Sequence, residues 1–338
     1  MLNGLFIGLF FGFILQRSQF CFVSGLRQLY PQKNLRFLTA LFIAISIQSI
    51  GFFALAQFNF IHIPTSQLPI VATLLGGFLF GMGMILAGCC ACGSWFRSGE
   101  GLIGSFTALI FFAITMAATQ TGALKSWILP LTQDVTEMDN IHTTLQISPW
   151  WLVVLLCVIT VMLIYYHHKH PRYQPTPDYR YHGLRHWIAE KRISLNIAAV
   201  IIGLLGIVAW FDSSLTGREF GFSISVPSAN VVQYIVTGQQ RYLNWGSYFV
   251  LGIPLGAFIS AKLSGEFKLN VPEPKLLLRR ALGGIVMAIG AALAGGCTIT
   301  NALVATAYFS WQGWLATLMI CLGCWITAYF IKPTQCKI

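Results

Sequence analysis

The sequence predicts an all-α membrane protein of about nine transmembrane helices plus short re-entrant helices, built as two inverted-repeat halves around a connector span (4+1+4). Three observations predict it. Hydrophobic residues make up 56% of the 338 positions and charged residues only 9%, with mean hydropathy +0.70, whereas soluble domains carry about 25% charged residues. The phrase GGFLFGMGMILAGCC at 76–90 returns as GGIVMAIGAALAGGC at 283–297. The basic residues gather in alternate loops.

The apolar runs read as spans at about 2–23, 37–57, 69–88, 101–120, 150–166, 194–211, 245–262, 280–297 and 313–331. Their lengths lie near the ~20 residues that cross the hydrocarbon. Segment 223–237 is too short and polar to span, and reads as a re-entrant or interfacial helix. The first 15 residues lack a basic n-region, so no cleaved signal peptide is expected.

Loop charges then set the sidedness. Loop 24–36 carries Arg27, Lys33 and Arg36 without an acid, and loops 167–193 and 262–280 are strongly basic. Loop 121–149 sets Lys125 against Asp134, Glu137 and Asp139. Positive-inside logic puts the basic loops and the C-terminus in the cytoplasm and the N-terminus outside. The net charge of +11 is therefore orientation charge and does not indicate nucleic acid. Span three runs inward and span eight outward, yet both carry the repeated phrase, so the repeat is inverted. Residues 1–149 form the first half, 150–193 a connector span and cytoplasmic linker, and 194–338 the second half. The linker histidines His167, His168 and His170 read as a solvated interfacial group.

A shift of 207 positions superposes Gly76 on Gly283, Gly77 on Gly284, Gly83 on Gly290, Ala87 on Ala294, Gly88 on Gly295 and Cys90 on Cys297. Broken helices in equivalent places of two halves mark transporter sites. Irregular backbone at membrane depth is tolerated only where protein or a water-filled cavity satisfies it. Cys89 aligns with Gly296 and reads as a substituted glycine. Cys21, after Arg17 and Ser18, is a third candidate thiol, and Cys92 lies beside Cys90. Charges at depth face a cavity or one another, which singles out Arg17, Arg97 and Glu100. Arg97 and Glu100, three apart, share a helical face. The mid-span pair Cys321 and Cys324 reads as packing, and Cys157 and Cys336 as incidental.

The sequence shows no nucleotide-binding loop, metal-ligand spacing or hydrolase triad, so neither an enzyme nor a cofactor is expected. Spans nearly free of Asp and Glu give proton or sodium coupling little support. A thiol is a weak donor and a soft, polarizable surface. Thiols in series suit a soft sulfur-containing anion that must enter and also leave. A membrane thiol-redox protein and a permease for a soft metal ion stay open on the residues alone.

At three places the residues resemble a family. R-S-Q-F-C-F-V-S-G-L-R (17–27), A-G-C-C-A-C-G-S-W-F-R-S-G-E-G (87–101) and A-G-G-C-T-I-T-N (294–301) are similar to the YeeE/YedE sulfur-transport family of inner-membrane proteins. The resemblance covers nearly the whole chain. It implies uptake of thiosulfate through an hourglass-shaped, nine-span inverted repeat. It also implies three cysteines that hand the ion on through S–H hydrogen bonds, here Cys21, Cys90 and Cys297. A small cytoplasmic sulfur carrier of the TusA type is the implied partner, besides the anion and the lipid bilayer. Arg17, Arg97, Glu100, Cys89 and Asn301 are the supporting candidates. The chain departs from the family twice: Thr300-Asn301 stands where Gly-His is usual, and A-G-C-C replaces A-G-G-C. The first departure leaves the exact substrate open, and because some relatives of the family are linked to selenium compounds, a selenium-containing ion is an alternative.

Overall fold

In lipid, an apolar chain satisfies its backbone most directly as helix. The computed structural model, which describes residues 1–32, 34–65, 67–169 and 192–331, is helical throughout, with isolated bridges as the one β feature among those residues. The chain opens with α1 (Leu2–Ser18), α2 (Phe22–Gln32), α3 (Arg36–Gln57), α4 (Ile70–Ala87), α5 (Ala91–Gly99) and α6 (Ile103–Gln120). Two short helices follow, α7 (Lys125–Gln133) and α8 (Ile141–Thr144), and then α9 (Pro149–Lys169). After α9 come α10 (Leu195–Ser214), α11 (Ser225–Thr237), α12 (Trp245–Ser264), α13 (Pro274–Leu293), a π-helical turn at Thr300–Ala305, and α14 (Trp311–Phe330).

Nine helices among the described residues are long and apolar enough to cross a membrane, so this is a multi-pass membrane protein. Three boundaries differ from expectation for physical reasons. The first span is interrupted at Gln19, whose left-handed φ of 50° ends α1 before Cys21. The eighth starts six residues early because Pro274 opens the helix, where its missing N–H costs nothing. Lys275, Arg279 and Arg280 thus lie on α13, their apolar stems able to run along the bundle. The same span ends at Leu293, before the cysteine that sequence placed at its tip. Segment 223–237 folds as α11, packed on α6 and α12. His170 and the rest of 170–191 lie outside the described residues, and His167 and His168 close α9.

Glycine places the helices. Gly76 and Gly290 of the repeated phrase sit where α4 crosses α13: a Cβ on Gly76 would strike the backbone of Ala294, and one on Gly290 that of Phe80. Gly83 and Gly283 repeat the contact against Met287 and Ala87. Gly77 lies on α14 and Gly284 on α6. Gly4, Gly8 and Gly12 of α1 face the carbonyls of Trp245, Phe249 and Ile253 on α12, while Gly252 and Gly256 return the contact against Leu5 and Leu9. Such small-residue seams let backbones approach when lipid offers no hydrophobic drive between helices. Helix α9 is different. It buries only Val153, Leu156 and Thr160, and meets α3 through a Thr160–Ser46 hydroxyl contact of 2.7 Å.

Candidate functional site

Three helices of this bundle break at a cysteine. After α1, the left-handed Gln19 turns the chain, the Phe20 N–H reaches back to the Leu15 carbonyl (3.3 Å), and Cys21 sits in the gap before α2. After α4, Gly88 takes φ 74°, a conformation costly for any residue with a Cβ. Cys90 then caps α5, its Sγ accepting the Gly93 N–H at 3.2 Å. After α13, Gly295 takes φ 72° and the chain passes through Cys297 into the π-helical turn. Freed carbonyls at this break are taken by one side chain: the Asn301 Nδ2 donates to Ala294 (3.2 Å) and to Gly296 (2.9 Å). All three cysteines are buried.

The breaks converge. Arg97, on α5, donates from Nη2 to the Cys21 sulfur at 3.5 Å and from Nη1 to the Gly88 carbonyl at 3.5 Å, joining the first break to the second. Cys90 has Cys21 and Cys89 as electrostatic neighbours, with Thr298 beside it. Cys92 follows on α5, two residues after Cys90, and is buried. The Cys89 thiol turns away to the Ser94 hydroxyl (3.2 Å) and the Ala87 carbonyl (3.6 Å). The eight cysteines of the described residues are free thiols.

Polar residues collect at the α5 C-terminus. Glu100 ends α5 and accepts from Gln19 Nε2 at 2.9 Å. Gln16 donates to Glu266 (2.7 Å) and accepts from Ser260 (2.6 Å). Burial pushes the Glu100 carboxyl above its ordinary 4.5, opposed by the Gln19 hydrogen bond and the Arg97 charge. Arg17 is buried on α1, where its carbonyl receives the Ile193 N–H at 3.2 Å. Of the remaining thiols, Cys157 lies on α9 and Cys324 packs its backbone on Gly81 between α14 and α4. No group of three or more His, Cys, Asp or Glu able to hold a metal ion occurs among the described residues.

The α10–α11 connection carries no cysteine. There, Arg218 donates from Nη1 to the carbonyls of Phe220 (2.8 Å) and Gly221 (3.0 Å). Burial lowers its pKa to about 10. A shift of 200 aligns F-C-F (20–22) with F-G-F (220–222), so Gly221 stands where the first copy has Cys21. Thr298, beside the Cys90 thiol, carries no signal in the sequence.

The family model for sulphur transport matches residues 17–326. The chain belongs to this family. It is 41% identical to the protein named thiosulfate transporter TsuA of Escherichia coli (strain K12), over 99% of this chain and 96% of that protein. It is 30% identical to the thiosulfate transporter TsuA of Spirochaeta thermophila, over 97% and 98%. A shorter similarity, 31% identity over 28% of this chain and 23% of the relative, links it to the probable transporter YedE of Salmonella typhimurium.

Proposed function

We propose that this protein carries thiosulfate, or a closely related sulfur-containing anion, across the inner membrane along a path lined by the thiols of Cys21, Cys90 and Cys297. The observation that carries this reading is that three buried cysteines each stand at a helix break, with the Arg97 guanidinium bonded to the Cys21 sulfur and to the Gly88 carbonyl of the Cys90 break. Thiosulfate has a soft terminal sulfur and three hard oxygens. Thiols match the sulfur without holding it tightly, and one arginine supplies attraction. Full-length similarity to two proteins named thiosulfate transporters supports the choice of anion.

The inverted 4+1+4 arrangement is part of the same proposal. Exchanging the halves turns the α1–α12 contact into α10–α3, α4–α14 into α13–α6, and α2–α14 into α11–α6, and each of these pairs packs in the structure. Helix α9 then has no counterpart and serves as connector. With the positive-inside rule, the end bearing Arg27, Arg192, Lys268, Lys275 and Arg279 faces the cytoplasm, the N-terminus lies outside, and transport is inward. A small sulfur carrier of the TusA type would receive the anion at that basic end.

Thiosulfate-dependent growth of cells relying on this protein tests the reading. Cys90→Ala and Cys297→Ala are expected to abolish growth while membrane insertion, followed by immunoblot, is unchanged. Normal growth with both variants would sink it.

A further inference from the structure

Two hydroxyls on segments that border the cysteine breaks are buried with nothing to bond. Thr298 and Ser225 are each fully buried, and neither Oγ atom has a hydrogen-bond partner among the described residues. A buried hydroxyl without a partner costs roughly 1–3 kcal/mol, so it is rare unless something else satisfies it. Ser49, Thr73 and Thr306 share this state, and Thr298 and Ser225 are the two joined through their chain neighbours to the Cys90 and Cys297 breaks. Thr298 follows Cys297 and stands beside the Cys90 thiol, though the two do not meet in hydrogen-bond geometry. Ser225 opens α11, a helix of 13 residues, and does not cap it.

Contacts on either side tie Ser225 to the thiols. Two residues before it, the Ser223 hydroxyl receives Thr300 Oγ1 at 3.5 Å, and that same Thr300 hydroxyl meets the Cys297 sulfur at 3.6 Å. Three residues after it, Ser228 receives the indole N–H of Trp95, on the helix that Cys90 caps, at 2.8 Å. The start of α11 is thus held between the Cys90 and Cys297 breaks. A helix start also presents unpaired N–H groups, which favour an anion.

We propose that the hydroxyls of Thr298 and Ser225 form the oxygen-binding half of the substrate site, donating to a tetrahedral sulfur oxyanion whose terminal sulfur lies against the thiols. This rests on the thiosulfate reading above and deepens it. The thiols read the sulfur end, the hydroxyls read the oxygens, and an ion with both ends is preferred over one with either alone.

Purified full-length protein in liposomes, given radiolabelled thiosulfate, tests the proposal with Thr298→Val, Ser225→Ala and Thr298→Ser. Each hydroxyl removal is expected to raise KM about tenfold, the effect of one hydrogen bond to a charged group. The maximal rate should stay within about twofold, and Tm should be unchanged or higher, because an unpartnered buried hydroxyl has been removed. Thr298→Ser should keep the wild-type KM. A wild-type KM in Thr298→Val and Ser225→Ala would overturn the proposal. So would weakened uptake accompanied by a lowered Tm, which is the mark of a packing role. Wild-type protein that takes up no thiosulfate would overturn the underlying reading too, before any variant is compared.

Discussion

At Cys90 the thiol caps a nine-residue helix and is committed to the Gly93 N–H. At Cys297 the thiol makes no backbone contact of that kind, and meets the Thr300 hydroxyl in a π-helical turn instead. One phrase therefore gives two local structures, and paired positions explain the difference. The first copy has Cys89 and Gly93 where the second has Gly296 and Thr300. A Cβ on Gly93 would press on the Cys89 Cβ at 3.2 Å and the Cys90 sulfur at 3.4 Å, and a Cβ on Gly296 would press on the Thr300 side chain. Each break has room for one side chain across a helical turn. The first copy spends it on the thiol of Cys89, the second on the threonine. The doubled cysteine of the first copy is thus one half of a compensated exchange.

The flanking residues differ in a way that bears on direction. Arg97 aligns with Val304, and Cys21 with Gly221. In the first half Arg97 touches Cys21, and in the second Val304 lies where a Cβ on Gly221 would reach it. The aligned places hold a cation and a thiol in one pair and two apolar groups in the other. Positions that align in sequence thus differ in chemistry.

The largest expected effect tests the symmetric part. Gly83→Leu and Gly290→Leu both force a side chain into the opposing backbone at the α4–α13 crossing. Overpacking costs about 1–3 kcal/mol and more when the obstacle is backbone. Both variants should lose the monodisperse peak on size-exclusion chromatography in detergent. Failure of only one would break the equivalence of the copies. Next comes the asymmetric part. Arg97→Val gives the first copy the residue of the second, and uptake should fall at least about tenfold. Unchanged uptake would remove Arg97 from the path.

The compensated exchange predicts coupling. Gly93→Thr alone should lower Tm, and adding Cys89→Gly should restore part of it. The interaction should be on the order of 1 kcal/mol in a double-mutant cycle, and strict additivity would reject the pairing. The smallest effect concerns Glu100, which has no acidic counterpart among the aligned residues, since Ala307 stands there. Its carboxyl is raised above 4.5 in the fold, so it contributes stability that is present below that pH and is lost as pH rises through its folded value. Glutamine does not titrate. The Tm of Glu100→Gln relative to wild type should therefore increase as pH rises from 4.5. A difference that stays flat with pH would contradict it.

Much of this was legible in sequence because lipid imposes simple rules. Apolar length predicts the spans, and the repeated phrase pairs the glycines that the structure then places at the α4–α13 crossing. The break at Cys21 was not legible, because Gln19 enters the left-handed region without the glycine that announced the turns at Gly88 and Gly295. The early start of α13 was hidden by charges that belong to a helix with long-stemmed basic residues. Cys90 and Cys297 stood out by recurrence. Thr298 and Ser225 did not, since a hydroxyl is informative only once its lack of a partner can be seen.

The central claim is a thiol-lined path for a sulfur anion. Uptake of radiolabelled thiosulfate by purified protein in liposomes, with sulfate and selenite as competitors, tests it most directly when wild type is set beside Cys21→Ala, Cys90→Ala and Cys297→Ala. The account predicts saturable uptake by wild type that sulfate competes for poorly, and loss of uptake in Cys90→Ala and Cys297→Ala with the folded protein intact. Wild-type rates in those two variants would contradict it.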